Sequence, residues 1–401
     1  MPAGGGLPHL VVTGDDVLSS IAALPPDDGA LTDMRDLTGL PEIPSHPRFS
    51  GKSPRPAILA DETPCAILYT SGTTGKPKGA VLSHKNLLAN VRQMDDASDL
   101  GSDDNFLSVL PMFHSFGWTV CVLFALYMGS TITILDGFRP KETLRTLMEE
   151  GVTVFCGVPA MFAVLAHGTA ESIPLPLKLT VAGGAPLPEA VIRAFDARFQ
   201  ATLVEGYGLS EASPVVCLNP LDGVRKVGSV GIPLPGVEVR VVGEGMQEVP
   251  AGEIGEIAVR GDNVMLGYYG LPAETAEALV DGWLLTGDLG RMDEDGYVYV
   301  VDRKKDLVIV SGFNVYPREI EDVLLSHPRI GEAAVIGIPD PVKGEVVKAF
   351  VVPREGEKIE KAEILDFLKP RLARYKLPQV IEFAETLPRT PSGKVLKRLL
   401  K

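Results

Sequence analysis

Ala66-Ile67-Leu68-Tyr69 runs directly into Thr70-Ser71-Gly72-Thr73-Thr74-Gly75-Lys76-Pro77-Lys78-Gly79. The first four residues read as a short apolar strand, and the stretch after them is a loop of glycines, hydroxyls and lysines. Glycines let a backbone approach a ligand closely, hydroxyls donate to phosphate oxygens, and a lysine adds a point charge. The loop is not of the Walker A type, because Gly72 and Gly75 are too close together and Pro77 follows Lys76. Taken alone, it suits a phosphate cradle and a mobile surface loop equally well.

The run at 66–69 and further short apolar runs at 131–135, 152–156 and 178–182 alternate with helical patterns at 87–94, 141–149 and 189–199. That alternation predicts a mostly parallel sheet covered by helices. Beyond Val227 the period becomes two: Val237, Val239 and Val241 alternate with Glu238 and Arg240, and 254–260 and 297–301 also read as strands. These segments predict a small antiparallel β subdomain. A charged cluster, Asp302-Arg303-Lys304-Lys305-Asp306, precedes a strand at 307–310 and a helix opened by Pro317 with Ile320, Val323 and Leu324 on one face. Strands at 333–338 and 346–352 and a helix near 362–372 complete an α+β unit. The expected fold is α/β. It comprises a helix-covered sheet over 1–226, a barrel-like β subdomain over 227–302, a hinge at 303–306 and a small C-terminal α+β domain over 307–401. Upstream, residues 1–60 are rich in Gly, Pro and Asp, with one plausible strand at 10–13.

Composition narrows the function. The chain has 401 residues, of which 45% are hydrophobic and 22% charged, and its net charge is −14. An acidic balance of this size argues against general binding to nucleic acid or anionic membrane, while a few backbone amides and lysines can still hold a nucleotide. Four cysteines form neither a disulfide framework nor a metal-ligand spacing, which fits a reducing, cytoplasmic setting. The six histidines contain no HExxH pattern. The beginning of the chain lacks the basic-then-apolar order of a signal peptide. Residues 105–135 carry no formal charge, but Pro111, His114, Gly117 and Gly129 interrupt them. They read as a buried helix followed by a β-branched strand rather than a transmembrane span.

A second cluster is Val204-Glu205-Gly206-Tyr207-Gly208-Leu209-Ser210-Glu211. Glu211 is a hard oxygen ligand suited to magnesium on a triphosphate, and Tyr207 offers a flat face to a ring or an acyl chain. An ordinary strand-to-helix turn with an exposed Glu would read the same way. Thr286-Gly287-Asp288-Leu289-Gly290 places a carboxylate on an expected tight turn, where it could take both ribose hydroxyls, or simply be a β-turn. Arg303 could be a second ribose contact or a solvated linker charge. Pro391-Ser392-Gly393-Lys394 is a flexible turn carrying one lysine.

Together and in this order, TSGTTGKPKG, YGLSE, TGD, DRKKD and PSGK resemble the superfamily of acyl-CoA synthetases, peptide-synthetase adenylation domains and firefly-type luciferases. The resemblance runs from about Pro64 to Lys401 and is greatest to bacterial medium- and long-chain fatty-acyl-CoA synthetases. It implies a two-step reaction in which a carboxylic acid and ATP give an acyl-adenylate and a thiol, that of coenzyme A, then displaces AMP. The alternatives are an aryl-CoA ligase, an acyl-adenylate supplier to a carrier protein, or an inactive nucleotide-binding fragment. By likeness, Thr70, Ser71, Gly72, Thr73, Thr74, Gly75 and Lys78 would hold the phosphates, and Glu211 with Ser210 would position Mg2+. Gly184, Ala185 and Tyr207 would frame adenine, with Asp288 and Arg303 at the ribose. Lys394 would reach the carboxylate and α-phosphate oxygens. His114 would gate the acyl pocket, or be a satisfied core histidine. Lys305 falls at the hinge, and Ser311, Gly312 and Phe313 would border the CoA tunnel in the second step. Fewer residues precede Thr70 than is usual in the family, so the large domain is expected to be N-terminally incomplete. The expected partners are the acid, ATP and CoA, with no nucleic acid and no transmembrane span, and the chain is compatible with a homo-oligomer.

Overall fold

The computed structural model describes residues 60–70, 77–166, 172–389 and 395–400. The expected strand at 10–13, the loop residues 71–75 and Lys394 lie outside them. Strand β1 (Pro64–Thr70) pairs with β2 (Lys78–Ser83) as an antiparallel hairpin across the glycine–lysine loop. The strand at 66–69 therefore does not join the parallel sheet that its neighbours suggested. The seven residues between the strands suffice for a hairpin, whereas a parallel crossover needs a dozen or more.

Helix α1 (His84–Asp95) begins earlier than its apolar pattern does, because Ser83 caps it. The Ser83 side chain accepts from the Asn86 amide, and Asn86 Oδ1 accepts from the Ser83 amide at 2.8 Å.

The main sheet then builds up through β3 (Asn105–Ser108), β4 (Thr131–Ile134), β5 (Val154–Gly157), β6 (Leu179–Ala182) and β7 (Leu203–Gly208). These strands lie parallel in the order β4-β3-β5-β6-β7. The antiparallel strands β8 (Val215–Leu218) and β9 (Ile232–Pro233) extend the sheet beyond β7. Every residue of β3, β5 and β6 is buried, as expected when both faces are covered. Alternation divides their side chains between two cores. Phe106, Val154 and Val181 face one, and Leu107, Phe155 and Ala182 the other.

Helices α3 (Pro140–Glu149), α4 (Pro159–Ala166) and α5 (Glu189–Phe199) connect the strands. Phe155, Phe162, Phe195 and Phe199 form a run of ring contacts at 4.8–5.1 Å between centroids. The uncharged stretch after β3 is a π-helix (Phe116–Leu123) continuing into α2 (Phe124–Met128). Among the described residues, no helix is long and apolar enough to cross a membrane.

Strands β10 (Glu238–Val242), β11 (Gly255–Arg260), β12 (Gly267–Tyr268), β13 (Leu279–Val280), β14 (Trp283–Met292) and β15 (Val298–Arg303) come next in the chain. All but β12 form an antiparallel sheet ordered β10-β11-β14-β13, with β15 on β14. Strand β12 instead joins β1 and β2, carrying Tyr268 to the glycine–lysine hairpin. Between β12 and β13 lies α6 (Pro272–Ala278).

The remaining strands, β16 (Val308–Val310), β17 (Phe313–Val315), β18 (Ile330–Asp340), β19 (Gly344–Pro353) and β20 (Val380–Phe383), make a smaller sheet. Helices α7 (Pro317–Leu325) and α8 (Lys361–Leu368) close its core, with Ile320, Leu324, Ile364 and Leu368 inward. The protein is thus α/β, with a large N-terminal sheet domain and a smaller C-terminal domain.

Candidate active site

Strand β6 is followed by Gly183-Gly184 and β7 ends in Gly208, and the chain turns away from the strand direction at these glycines. The crevice outside the carboxyl ends of parallel strands is where ligands bind in open α/β sheets. Here it opens into a cavity of about 350 Å³ lined by Thr70, Lys78, His114, Gly184, Tyr207, Ser210, Glu211, Asp288 and Arg303. These residues come from widely separated stretches of sequence. Gly184 holds φ +78°, a conformation open to glycine at little cost. Gly208 packs so tightly that an added Cβ would lie 2.1 Å from the Pro214 carbonyl oxygen.

Asp288 lies inside β14, opposite Arg303 of β15, and not on the tight turn expected from Thr-Gly-Asp. Gly287 takes a positive φ of +71° and the β11–β14 register shifts here, so the chain bulges at the glycine, and the strand continues through Asp288 by pairing with β15. The Asp288 carboxylate is buried. Its Oδ2 accepts from the Tyr207 hydroxyl at 2.7 Å, and its Oδ1 pairs with Arg303 Nε at 3.0 Å. Each oxygen keeps a second acceptor position for a ligand hydroxyl. Burial, with the Asp288 charge adding to it, holds the Tyr207 phenol well above its ordinary range, so it remains a neutral donor. Removing the carboxylate in Asp288→Ala leaves a hydroxyl and a guanidinium without their acceptor. We expect a loss of about 2 kcal/mol, read as a lower urea midpoint with an unchanged slope.

Also lining the cavity, Glu211 sits in a 3₁₀ turn (Ser210–Ala212) just after β7. Its Oε1 accepts from the Tyr268 hydroxyl at 3.0 Å, and Lys78 Nζ lies 5.0 Å from the centre of the Tyr268 ring. Burial, reinforced by the Glu211 carboxylate, raises the Tyr268 phenol above its usual range. The Ser210 hydroxyl lies 3.1 Å from that of Ser115, which precedes the π-helix. His114 Nδ1 accepts from the Phe116 amide at 3.2 Å, which fixes its acceptor nitrogen. Tyr268 and Ser115 carry no sequence signal of a role. Tyr268 is a strand residue 57 positions from Glu211.

Several expected site residues lie elsewhere. Ala185 is exposed and does not line the cavity, because the loop turns outward after Gly184. Lys305 lies in a 3₁₀ turn (Lys304–Asp306), where burial lowers the pKa of its ammonium. Ser311 and Gly312 form the exposed turn between β16 and β17, both with positive φ, and Phe313 stacks on Tyr375 at 4.9 Å. Lys305 and the 311–313 residues are all absent from the cavity lining.

A deep arm of the cavity was invisible in the sequence. Phe106, Val120, Phe124, Val154, Cys156 and Val181 line it, with no charged side chain among them. Such residues read simply as core from sequence, since burial in a sheet and burial against a cavity give the same apolar pattern.

The chain matches the AMP-binding enzyme family over residues 10–269 and the AMP-binding enzyme C-terminal domain over residues 319–394. It is 44% identical to a feruloyl-CoA synthase from Amycolatopsis sp. over 83% of its own length and 68% of the relative's. It is 42% identical to a long-chain-fatty-acid–CoA ligase from Bacillus subtilis (strain 168) over 86% of its length, spanning 62% of that protein. ATP-bound MatB from Rhodopseudomonas palustris superposes with a TM-score of 0.81 at 39% identity, covering 85% of this chain and 68% of that one. The apo form of MatB, at the same identity and coverage, scores 0.67. With both family models matched in chain order and the cavity built at the carboxyl ends of the parallel strands, this chain belongs to the AMP-binding enzyme family.

Proposed function

We propose that the protein activates an apolar carboxylic acid, in the first instance a fatty acid, with ATP and passes the acyl group to the thiol of coenzyme A. The observation that carries this reading is the form of the cavity. One end holds the Asp288–Arg303–Tyr207 cluster and the Lys78–Tyr268–Glu211 cluster, and the other is the uncharged apolar arm. In the first step a carboxylate oxygen attacks the α-phosphorus and pyrophosphate leaves. In the second the thiol attacks the acyl carbonyl and AMP leaves. Asp288 and Arg303 orient the ribose, Tyr207 and Gly184 border the base, and Thr70 and Lys78 stand at the phosphates with the glycine-rich residues 71–75. His114 separates the arm from the thiol side, and Lys394 supplies the cation facing the charge that builds on phosphorus. The reducing setting that CoA thiols require suits a cytoplasmic enzyme.

Magnesium fits Glu211. The ion takes one or two carboxylates plus phosphate oxygens and water, and among the described residues no cluster of three or more metal-ligating side chains exists to form an all-protein cage. Bound there, it would neutralise phosphate charge. Tyr268 holds one Glu211 oxygen, leaving the other to a ligand. Glu211→Gln should raise the magnesium concentration for half-maximal turnover strongly, and Tyr268→Phe by a smaller factor, with kcat at saturating magnesium less affected in the latter. Unchanged magnesium dependence in Glu211→Gln would remove the assignment.

The feruloyl-CoA synthase relative favours one second reading, an aromatic acid in the same arm. Acid-dependent ATP–pyrophosphate exchange over a panel of fatty and cinnamic-type acids tests both. Exchange only with aromatic acids would replace the fatty-acid reading, and none with any acid would remove acid activation altogether.

A further inference from the structure

Helix α7 enters the small domain through Tyr316-Pro317-Arg318, and Tyr316 gives its first turn no side-chain cap. The first amides of a helix need a partner from outside it, and here the large domain supplies one. Asp302, buried near the end of β15, accepts from the Arg318 amide through Oδ2 at 2.8 Å and from the Arg303 amide through Oδ1 at 2.7 Å. The Arg318 side chain crosses to the same strand, where its Nη1 donates to the Val300 carbonyl at 2.9 Å. The guanidinium also acts on β7. Burial pushes the Glu205 carboxyl up, and the Arg318 charge pulls it back down. One residue of the small domain is thus tied to β15 and felt at β7, the strands that carry Arg303 and Tyr207 into the cavity. Arg318 itself does not line the cavity.

Resting on the acid-activation reading above, with the 311–313 turn serving the thiol step, we propose that Arg318 is a positioning residue. Together with Asp302 it latches the small domain in the arrangement used for adenylation, and the latch opens before acyl transfer. The reason lies in the chain order. Val300 and Asp302 precede the turn at Lys304–Asp306, and Arg318 follows it. The 311–313 residues are exposed and do not line the cavity. A rotation at the turn large enough to bring them there parts Arg318 from both acceptors. Asp322, by contrast, lies 3.9 Å from Arg318 Nε on the same helix and travels with it, so the guanidinium keeps an acidic neighbour when the latch is open. A hydrogen bond with one charged partner is worth on the order of tenfold in an equilibrium. A bond made in only one of two arrangements shifts their balance by that factor.

The test compares the wild-type chain, Arg318→Gln and Arg318→Lys in the two half-reactions. Adenylation is followed by ATP–pyrophosphate exchange with a linear acid such as dodecanoate, and thiolysis by release of AMP from supplied acyl-adenylate and CoA. In Arg318→Gln the ratio of thiolysis to adenylation rates is expected to rise on the order of tenfold. The ratio moves whichever arrangement dominates, because one rate gains or the other loses. Arg318→Lys can still donate to the Val300 carbonyl and should lie nearer the wild type. Tryptic cleavage at 303–305 should quicken in Arg318→Gln relative to cleavage elsewhere, since cleavage follows the population of the open form. Should Arg318→Gln fail to fold, Asp302→Asn gives the same comparison, because its side-chain oxygen accepts from only one of the two amides. An unchanged ratio in a folded variant overturns the latch and leaves the acid-activation reading standing. Equal slowing of both half-reactions with a lower urea midpoint shows a purely structural role and also overturns it. Absence of exchange with every acid in the wild-type chain overturns the acid-activation reading, and the latch with it.

Discussion

Lys394→Ala is expected to slow acyl-adenylate formation by on the order of 10²–10³, the effect of removing one preorganised group that faces developing charge. Thiolysis of a supplied acyl-adenylate should be nearly unaffected. The expectation rests on the proposal that Lys394 and the 311–313 turn serve the two half-reactions in alternation, with the small domain turning about Lys305. Two observations support it. The 311–313 turn is exposed and does not line the cavity. The chain superposes better on ATP-bound than on apo MatB, at 0.81 against 0.67, so it has the arrangement nearer to the nucleotide-bound one. Lys305→Pro should show the opposite pattern, because proline restricts φ at the pivot. Adenylation should persist while transfer to CoA slows. The measurement is each half-reaction separately, by pyrophosphate exchange and by release of AMP from supplied acyl-adenylate. Equal slowing of both steps in Lys394→Ala would defeat the alternation.

Glu205→Gln is expected to stabilise the protein by up to about 3 kcal/mol at pH 8 and by under about 1 kcal/mol at pH 5. Glu205 lies on β7 beside the motif glycines and is buried. Its Oε1 accepts from the Leu187 amide at 3.2 Å, holding the loop that follows β6. Burial pushes its carboxyl up to about 7 from the ordinary 4.5, even though Arg318 of α7 and the Leu187 amide both pull it down. The native state therefore binds more protons than the unfolded chain between about pH 4.5 and 7, and stability falls as pH rises through that window. At about 1.36 kcal/mol per unit, a shift of this size corresponds to about 3 kcal/mol once the group is ionised in both states. Glutamine keeps the acceptor for Leu187 and removes the charge. Urea unfolding of both proteins at pH 5 and pH 8 gives the answer. Parallel changes with pH would show that Glu205 is not the group responsible.

Much of the site was legible locally. The glycine–hydroxyl–lysine loop, the Gly-Tyr-Gly strand end with Glu211 beyond it, Asp288 and Arg303 are each short-range patterns, and the fold brings their described members to one cavity. The apolar runs at 131–135, 152–156 and 178–182 did mark β4, β5 and β6, but β3 lay in the stretch 105–135 read as a helix and a later strand, because its polar ends Asn105 and Ser108 break the apolar signal. The pairing of the strand at 66–69 was misplaced, since the strength of an apolar run does not say which partner it finds. The turn expected at Asp288 is a bulge instead: Gly287 does take a positive φ, but the pairing of Asp288 with Arg303 carries the strand onward.

Element types, the capping of α1 and the identity of the polar groups were set within the amino-acid order, because each depends on residues a few positions apart. Chain packing in three dimensions was needed to bring Tyr268 to Glu211 and to set Asp288 against both Arg303 and Tyr207. Each of these contacts joins residues from separate strands or helices whose approach is set by sheet order and register. An apolar side chain has the same sequence signature whether its neighbour is another side chain or an open channel, because burial removes it from water in either case.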